Sequence, residues 1–176
     1  NSPQENVTIR NCQISSFHTG IYIAAVANNT LLINNTIKDM TFSGIHFDYL
    51  YVPGKSSPSI NIINNTILRT NKSVNSGYQL GGGIYININI GVLNSRIEGN
   101  NVSHNRLTGM GGIASDSTYR DNFIYNNTIG IHIEDQGVSN NNFTNDRILG
   151  SEKAILFNSS STSNHSFMNT YFENNS

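Results

Sequence analysis

Several side chains that could carry acid–base chemistry stand at fixed offsets from a recurring Gly-Ile dipeptide. The pattern Gly-Ile-x-apolar occurs at "GIYI" (20–23), "GIHF" (44–47), "GIYI" (83–86), "GIAS" (112–115) and "GIHI" (130–133), with "AILF" (154–157) as a degenerate copy. Alternate side chains of a strand point to opposite faces, so the variable position and the residue two further on face outward. Stacked strands then predict two outward columns: Tyr22, His46, Tyr85, Ala114, His132, Leu156 and Ala24, Asp48, Asn87, Asp116, Glu134, Asn158.

The sharpest catalytic hypothesis from these columns is a carboxylate pair, Asp116 and Glu134, on adjacent turns and therefore ~5 Å apart at the backbone. Such a pair could act as acid and as nucleophile or base in glycoside cleavage. Alternatively, it could hold Ca²⁺ against a uronate while His132 or Tyr85 moves the proton. The enzyme classes are then polysaccharide lyase, glycoside hydrolase or uronate epimerase. The competing interpretation is a set of solvated side chains that keep an exposed strand soluble.

Two long insertions flank the same part of the stack and predict a glycan-binding groove. Residues 48–58 ("DYLYVPGKSSP") and 68–82 ("LRTNKSVNSGYQLGG") bring Tyr49, Tyr51 and Tyr78 to its edge. Aromatic rings stack on the apolar faces of sugars, while polar groups bind the hydroxyls. The predicted glycan contacts are these three tyrosines with Tyr22, His46, Asp48, Tyr85 and Asn87.

A second repeat explains what positions these strands. The pattern apolar-x-Asn-Asn-x-apolar occurs as "IRNCQI" (9–14), "LINNTI" (32–37), "IINNTI" (62–67), "IEGNNV" (97–102), "YRDNFI" (119–124), "VSNNNF" (138–143) and "FMNTYF" (167–172). Its third residue is Asn, Asp or Gly in every copy, the types that tolerate the left-handed αL conformation. Its fourth residue, mostly Asn, predicts a ladder of stacked amides. "YNNTI" (125–129) also looks like a bend, but it leaves too few residues before Asn140 for a coil.

Short strands rich in Ile, separated by irregular loops and lacking helical periodicity, indicate an all-β parallel solenoid. The alternating motifs resemble the right-handed parallel β-helix superfamily, the pectate-lyase-like fold, over about residues 7–172. We therefore expect about seven coils with an Asn-rich bend in each. The resemblance implies that polysaccharide could lie along the outward face. The catalytic Arg of that family cannot be assigned, because none of the six arginines falls in either outward column.

Charge and hydropathy exclude some partners. The formal net charge is −1 and no basic run is present, so nucleic acid is not an expected partner. The longest apolar run, "IYIAAVA" (21–27), is too short to span a bilayer. The single Cys12 provides no internal disulfide framework.

Sequons and chain ends favour a surface role. Eleven Asn-x-Ser/Thr sequons are present, and those at Asn71, Asn158 and Asn164 are the best candidates for glycosylation. No terminal cap is evident, so we expect residues 1–176 to form one β-helix domain, either a segment of a longer solenoid or a subunit that stacks end to end. The first functional hypothesis is an extracellular structural or adhesive surface protein that forms filaments. The alternative is a polysaccharide-binding or polysaccharide-processing module.

Overall fold

The protein is described by a computed structural model that covers residues 4–24, 27–48, 59–70, 82–86, 94–112, 115–134, 140–158 and 164–175. Every regular element in these ranges is a β-strand. In chain order the strands are β1 (Gln4–Glu5), β2 (Thr8–Arg10), β3 (Gln13–Ser15), β4 (Thr19–Ile23), β5 (Ala27–Asn28), β6 (Thr30–Ile33), β7 (Thr36–Lys38), β8 (Ser43–Phe47), β9 (Ile60–Ile63), β10 (Thr66–Leu68), β11 (Gly82–Ile86), β12 (Arg96–Glu98), β13 (Asn101–Ser103), β14 (Thr108–Gly111), β15 (Thr118–Arg120), β16 (Phe123–Tyr125), β17 (Ile129–Glu134), β18 (Asn142–Thr144), β19 (Arg147–Leu149), β20 (Lys153–Asn158), β21 (Ser166–Met168) and β22 (Tyr171–Glu173).

These strands form three long parallel sheets that the chain visits in turn. The first sheet has the order β2-β6-β9-β12-β15-β18-β21, the second β3-β7-β10-β13-β16-β19-β22, and the third β4-β8-β11-β14-β17-β20. A short pair, β1 with β5, lies beside them. One strand from each sheet makes one coil, numbered 1 to 7 from β2. The predicted all-β parallel solenoid is confirmed.

The predicted number of seven coils is slightly too high. The third sheet has six strands, so five turns separate its first strand from its last. Coil 7 contributes described strands to the first and second sheets only. The bend motif counts a coil whenever its first corner is present, and coil 7 has this corner but no described strand in the third sheet.

Each coil turns at three corners, and residues with positive φ occupy these corners in the described residues, apart from the one before β9. The corner between the first and second sheets uses Asn11, Asn34, Asn64, Gly99, Asp121, Asn145 and Asn169. The corner between the second and third sheets uses Ser16, Asp39, Arg69, His104, Asn126, Gly150 and Asn174. The corner before the first sheet uses Asn6, Asn29, Asn94, Asp116, Asn140 and Asn164. The αL conformation predicted for the third motif residue is confirmed at every copy.

Two motif assignments were wrong because we expected one αL bend per coil. The sixth copy of the bend is "FTNDRI" (143–148), with Asn145 at the corner, whereas "VSNNNF" (138–143) contains the corner before β18. "YNNTI" (125–129) is a genuine bend at the second corner, through Asn126. With this register, equivalent rungs of coils 5 and 6 are 24 residues apart.

The predicted amide ladder is present inside the first corner. The Oδ1 atoms of Asn35, Asn65, Asn100, Asn122 and Asp146 each accept a hydrogen bond from the backbone N–H of the preceding rung, at 2.9–3.0 Å; the first donor is Cys12. From Asn35 to Asn122, the Nδ2 group donates to the next rung and to a backbone carbonyl of the preceding coil. Asp146, rather than the predicted Asn141, is the sixth rung. A shorter ladder, Thr70–Asn105–Asn127, follows the second corner.

Isoleucine fills the interior. The second sheet aligns Ile37, Ile67, Val102, Ile124 and Ile148, all fully buried. The first sheet stacks the rings of Tyr119, Phe143 and Phe167 with centroids 4.6 Å apart at each step. Each coil therefore buries its apolar residues among its own strands and against the coils above and below, as expected for a solenoid.

Candidate functional site

The outer face of the third sheet carries the first predicted column, with one correction. The strand register aligns Tyr22, His46, Tyr85, Gly111, His132 and Leu156. Gly111 occupies the position predicted for Ala114, because the strand of coil 4 is Thr108–Gly111 and not the "GIAS" segment. Gly112 has φ +76°, outside the extended region, so it follows the strand and is not the repeated glycine within it.

This column is mostly buried, contrary to the expectation of an exposed face. The exposed fraction is 7% for His46, 4% for Tyr85 and 1% for His132, whereas Tyr22 is 54% exposed. All five residues of β8 and of β11 are buried. Gly111 contributes to this packing, because the ring of Tyr85 lies over the position where its side chain would be, at 3.2 Å. The predicted alternation of side chains between the core and the outer face is correct, but the outer side of the sheet is also packed.

Aromatic rings surround His46 on this face. Its ring centroid lies 5.1 Å from that of Tyr85, 5.4 Å from Tyr22 and 5.5 Å from Phe42. The ring of Phe42 in turn stacks on His18 at 5.1 Å. The structure thus brings together three of the predicted glycan contacts, Tyr22, His46 and Tyr85, in one aromatic cluster.

The electrostatics of this cluster centre on Asp48. The Tyr22 hydroxyl donates a 3.0 Å hydrogen bond to Asp48 Oδ2, and this bond raises the pKa of the tyrosine. Burial lowers the pKa of His46, and the nearby Asp48 carboxylate only partly opposes that effect. His46 Nδ1 is buried without a hydrogen-bond partner. Near neutral pH the cluster therefore presents a neutral imidazole beside a tyrosine–carboxylate pair.

Phe42 and His18 were missed by the sequence analysis. Both stand two residues before the repeated glycine, and the backbone N–H of Phe42 donates to the carbonyl of His18. The same offset in coils 4 to 6 gives Leu107, Thr128 and Glu152. Aligning the residues two positions before each repeated glycine, as well as those two positions after it, would have identified Phe42 and His18.

A pocket of about 230 Å³ opens on the same face in coils 4 to 6. Its lining combines apolar side chains, two threonines, the buried His132 and an acidic and a basic residue: Leu107, Thr108, Thr128, Ile129, His132, Glu152, Lys153 and Leu156. Glu152 and Lys153 are both exposed. The pocket therefore offers both signs of charge and an apolar wall to a small polar ligand.

The predicted alignment of Asp116 with Glu134 on adjacent strands is not the one that the sheet register gives. Glu134 ends β17 and aligns with Asn158 of the next coil. Asp116 lies at the corner before β15, where its Oδ1 accepts a 2.8 Å hydrogen bond from Asn140 Nδ2. The prediction placed "GIAS" on the strand of coil 4, whereas that strand is Thr108–Gly111, so the two residues are not aligned neighbours in the sheet. Among the described residues, no three His, Cys, Asp or Glu side chains are grouped to hold a metal ion.

Several predicted site residues lie outside the described ranges: Tyr49, Tyr51, Tyr78 and Asn87 of the groove, and the sequon at Asn71. The other two preferred sequons can be placed. Asn158 ends β20 and Asn164 lies at a corner, and both side chains are exposed. Exposure extends to every sequon asparagine whose side chain is described: Asn6, Asn34, Asn64, Asn101, Asn126, Asn142, Asn158, Asn164 and Asn174.

Coil 7 presents several exposed apolar side chains. Phe172 aligns with Ile148 of the preceding coil, yet Phe172 is 48% exposed and Ile148 is fully buried. Met168 and Tyr171 of the same coil and Phe157 at the end of the third sheet are each at least half exposed. Strands β20, β21 and β22 are the edge strands of their sheets, so this surface also carries open edges.

Comparison with known proteins identifies the architecture and nothing more specific. A family model described as a right-handed β-helix region matches residues 1–93, slightly more than half of the chain. No curated protein and no solved structure matches the sequence. In the described ranges, no helix is long and apolar enough to cross a membrane.

Proposed function

The chain belongs to the right-handed β-helix family, and from this we propose that it is an extracellular structural or adhesive surface protein. Its regular stack of coils is then the functional part. Coil 7 of one copy would stack on coil 1 of the next copy to build a filament. The exposed apolar surface of coil 7 is the observation that carries this proposal.

The burial pattern supports stacking, because a further coil, from the same chain or from a second copy, would bury the surface that coil 7 exposes. Phe167 continues the aromatic stack of Tyr119 and Phe143, and Phe172 continues the core column of Ile148. Burying apolar surface is favourable by ~25 cal/mol per Å². Open edges of parallel strands add unpaired N–H and C=O groups that a further strand would satisfy.

The two ends are suited to contact each other. Coil 1 also presents exposed rings, Phe17 and Tyr22, and its strands β2, β3 and β4 are the opposite edge strands of the same three sheets. A contact between two different surfaces of one chain is heterologous, and it produces an open filament when the rotation does not close into a ring. Because all three long sheets are parallel, the strands of two stacked copies would run in the same direction on both sides of the joint.

Exposed sequons support the extracellular and glycosylated part of the proposal. The first asparagine of each "INNT" segment, Asn34 or Asn64, is exposed at its corner, while the next, Asn35 or Asn65, is buried in the ladder. The acceptor position is thus accessible although the motif also has a structural role. Glycans at the corners would lie beside the coils and leave the stacking ends open.

Replacement of Phe172 by Asp is expected to abolish self-association, because a carboxylate would be buried in the joint. The measurement is analytical ultracentrifugation with electron microscopy over a concentration series. Tyr125→Asp is the matched control, since Tyr125 is an exposed ring on the side of the stack and its loss should leave assembly unchanged. A wild-type protein that stays monomeric at every concentration would contradict the filament proposal.

A polysaccharide-binding or polysaccharide-processing module is the second candidate, and the pocket of coils 4 to 6 favours it. Lys153 can bind an acidic group. Glu152 can accept hydrogen bonds from sugar hydroxyls, and the two threonines can donate or accept them. The apolar wall suits the face of a sugar ring. The partner would be an acidic polysaccharide or cell-surface glycan.

Replacement of Lys153 by Ala is expected to weaken binding of an acidic oligosaccharide about tenfold, or about 1.4 kcal/mol. Titration calorimetry against a panel of acidic and neutral oligosaccharides measures this effect. Lys38→Ala removes an exposed lysine from the second sheet and should leave the affinity unchanged. Equal binding by wild type and Lys153→Ala, or binding by neither, would remove this candidate.

A further inference from the structure

The amide ladder contains one acidic rung, Asp146, and its environment differs from that of every other rung. Its side chain is buried, with 1% exposure. Oδ1 accepts hydrogen bonds of 2.9 Å from the backbone N–H and from Nδ2 of Asn122. Oδ2 is also buried, and no hydrogen bond reaches it.

The position of Oδ2 is explained by the neighbouring rungs. The Nδ2 groups of Asn65, Asn100 and Asn122 donate to the carbonyls of Leu32, Ile62 and Ile97 in the preceding coil. Ile97 aligns with Tyr119 in the next coil, so the same register directs the second terminal atom of Asp146 toward the carbonyl of Tyr119. An amide or a protonated carboxyl group can donate there, whereas a carboxylate can only place an oxygen against an oxygen.

We propose that Asp146 is a proton-controlled rung, which completes the ladder when it is protonated in mildly acidic solution and loosens the joint between coils 5 and 6 when it ionises. The proton would sit on Oδ2 and bond to the carbonyl of Tyr119. This goes beyond the proposed function, because it holds for an isolated chain whether or not the ends stack.

The surrounding charges agree with this assignment. Burial is the main cause that raises the pKa of Asp146, to about 6, and the two hydrogen bonds from Asn122 and a weaker effect of the Thr144 backbone N–H only partly oppose it. Asp121, at the adjacent corner position of coil 5, adds a like charge. Arg120 is paired with Glu98 and Asp121, and the Arg147 guanidinium lies over the Phe123 ring. From coil 7 the titratable group nearest in sequence to this rung is Tyr171, whose backbone N–H donates to the Asp146 carbonyl.

The sign of the pH dependence follows from linkage. The pKa of Asp146 is higher in the folded chain, about 6, than its ordinary value of 3.8. Its stabilising contribution is therefore fully present below about pH 4 and is lost as the pH rises through about 6. A shift of about two pKa units corresponds to a change of about a hundredfold in the folding equilibrium constant.

The test compares guanidinium unfolding of wild type, Asp146→Asn and Asp116→Asn between pH 4 and pH 7.5. Asp116 is an exposed corner carboxylate, and its variant controls for removal of one charge. Burial lowers the pKa of His46 and His165, which makes their contribution opposite in sign. The decisive quantity is therefore the difference between Asp146→Asn and wild type at each pH.

We expect that difference to grow by up to about a hundredfold in the folding constant from pH 4 to pH 7.5, in favour of Asp146→Asn. Asp116→Asn should follow the wild-type profile. Hydrogen exchange gives a local readout, because the Asn122 N–H bonds directly to Asp146 Oδ1. Its protection factor should fall as the pH rises in wild type and in Asp116→Asn, but not in Asp146→Asn. A difference that is constant over this pH range would overturn the proposal.

Discussion

Replacement of Gly83 by Ala should destabilise the solenoid by ~3 kcal/mol, at the upper end of the cost of overpacking a core. A Cβ at this position would lie 2.2 Å from Val102 Cγ1 and 2.6 Å from the carbonyl oxygen of Gly109. The first contact could be relieved by a side-chain movement. The second is with the backbone of the next coil, so relief would require the sheet itself to separate.

The same contact recurs along a column of glycines. A Cβ on Gly20, Gly44, Gly109 or Gly130 would also lie 2.6–2.7 Å from a carbonyl oxygen of the following coil. The last member of the column is Ala154, which has no described coil above its strand. The repeated glycine of the Gly-Ile motif is thus required by the close approach of successive coils.

The measurement for Gly83→Ala is chemical denaturation followed by circular dichroism. Gly111→Ala in the neighbouring coil is the matched control, since its Cβ would meet only side-chain atoms, at 3.2 Å or more, and we expect a loss below ~1.5 kcal/mol. If Gly83→Ala unfolds at the wild-type denaturant concentration, the coils can separate freely and the close-approach explanation fails.

Replacement of Asn100 by Ala should cost ~4 kcal/mol, because one side chain hydrogen-bonds to four buried groups. Its Oδ1 accepts from the backbone N–H and from Nδ2 of Asn65, and its Nδ2 donates to the carbonyl of Ile62 and to Oδ1 of Asn122. Each buried group left without a partner costs ~1–3 kcal/mol. Strengthening along a chain of hydrogen bonds would add to that cost.

The control for this prediction is the neighbouring residue. Asn101→Ala removes an exposed amide from the first residue of β13, and the change in unfolding free energy should stay within ~0.5 kcal/mol. Asn100→Asp preserves the acceptor but removes the donor to Ile62, so an intermediate loss is expected near neutral pH. An Asn100→Ala variant as stable as Asn101→Ala would mean that the ladder contributes little.

The sequence predicted the features that repeat locally. Asn, Asp and Gly at the corners report a backbone conformation that few other residues tolerate, so the αL bends could be read directly. The ladder was predicted correctly through Asn122 for the same reason. The sixth rung was missed because Asp146 stands in "NDR" rather than in an Asn pair, while the Asn run at 140–142 matched the pattern better.

The outer face was predicted less well because its burial depends on contacts between coils. Alternation along "GIHF" correctly directed His46 away from the core, but it could not show that Phe42, Tyr22 and Tyr85 pack around that ring. In coil 4, Met110 replaces the isoleucine of the motif, so the nearby "GI" at 112–113 matched the pattern instead. That shift of three residues created the incorrect alignment of Asp116 with Glu134.

The ladder also constrains how such a chain can change its length during evolution. Two identical "INNTI" segments supply consecutive rungs, Asn35 and Asn65, thirty residues apart. Recombination between the gene segments that encode them would delete one whole turn and rejoin the chain at the same corner, with every later strand in its original register. Loss of a single residue within a strand would instead reverse the faces of its side chains. Heritable changes in the length of this protein should therefore add or remove complete turns, or change the loops that connect the corners and the strands.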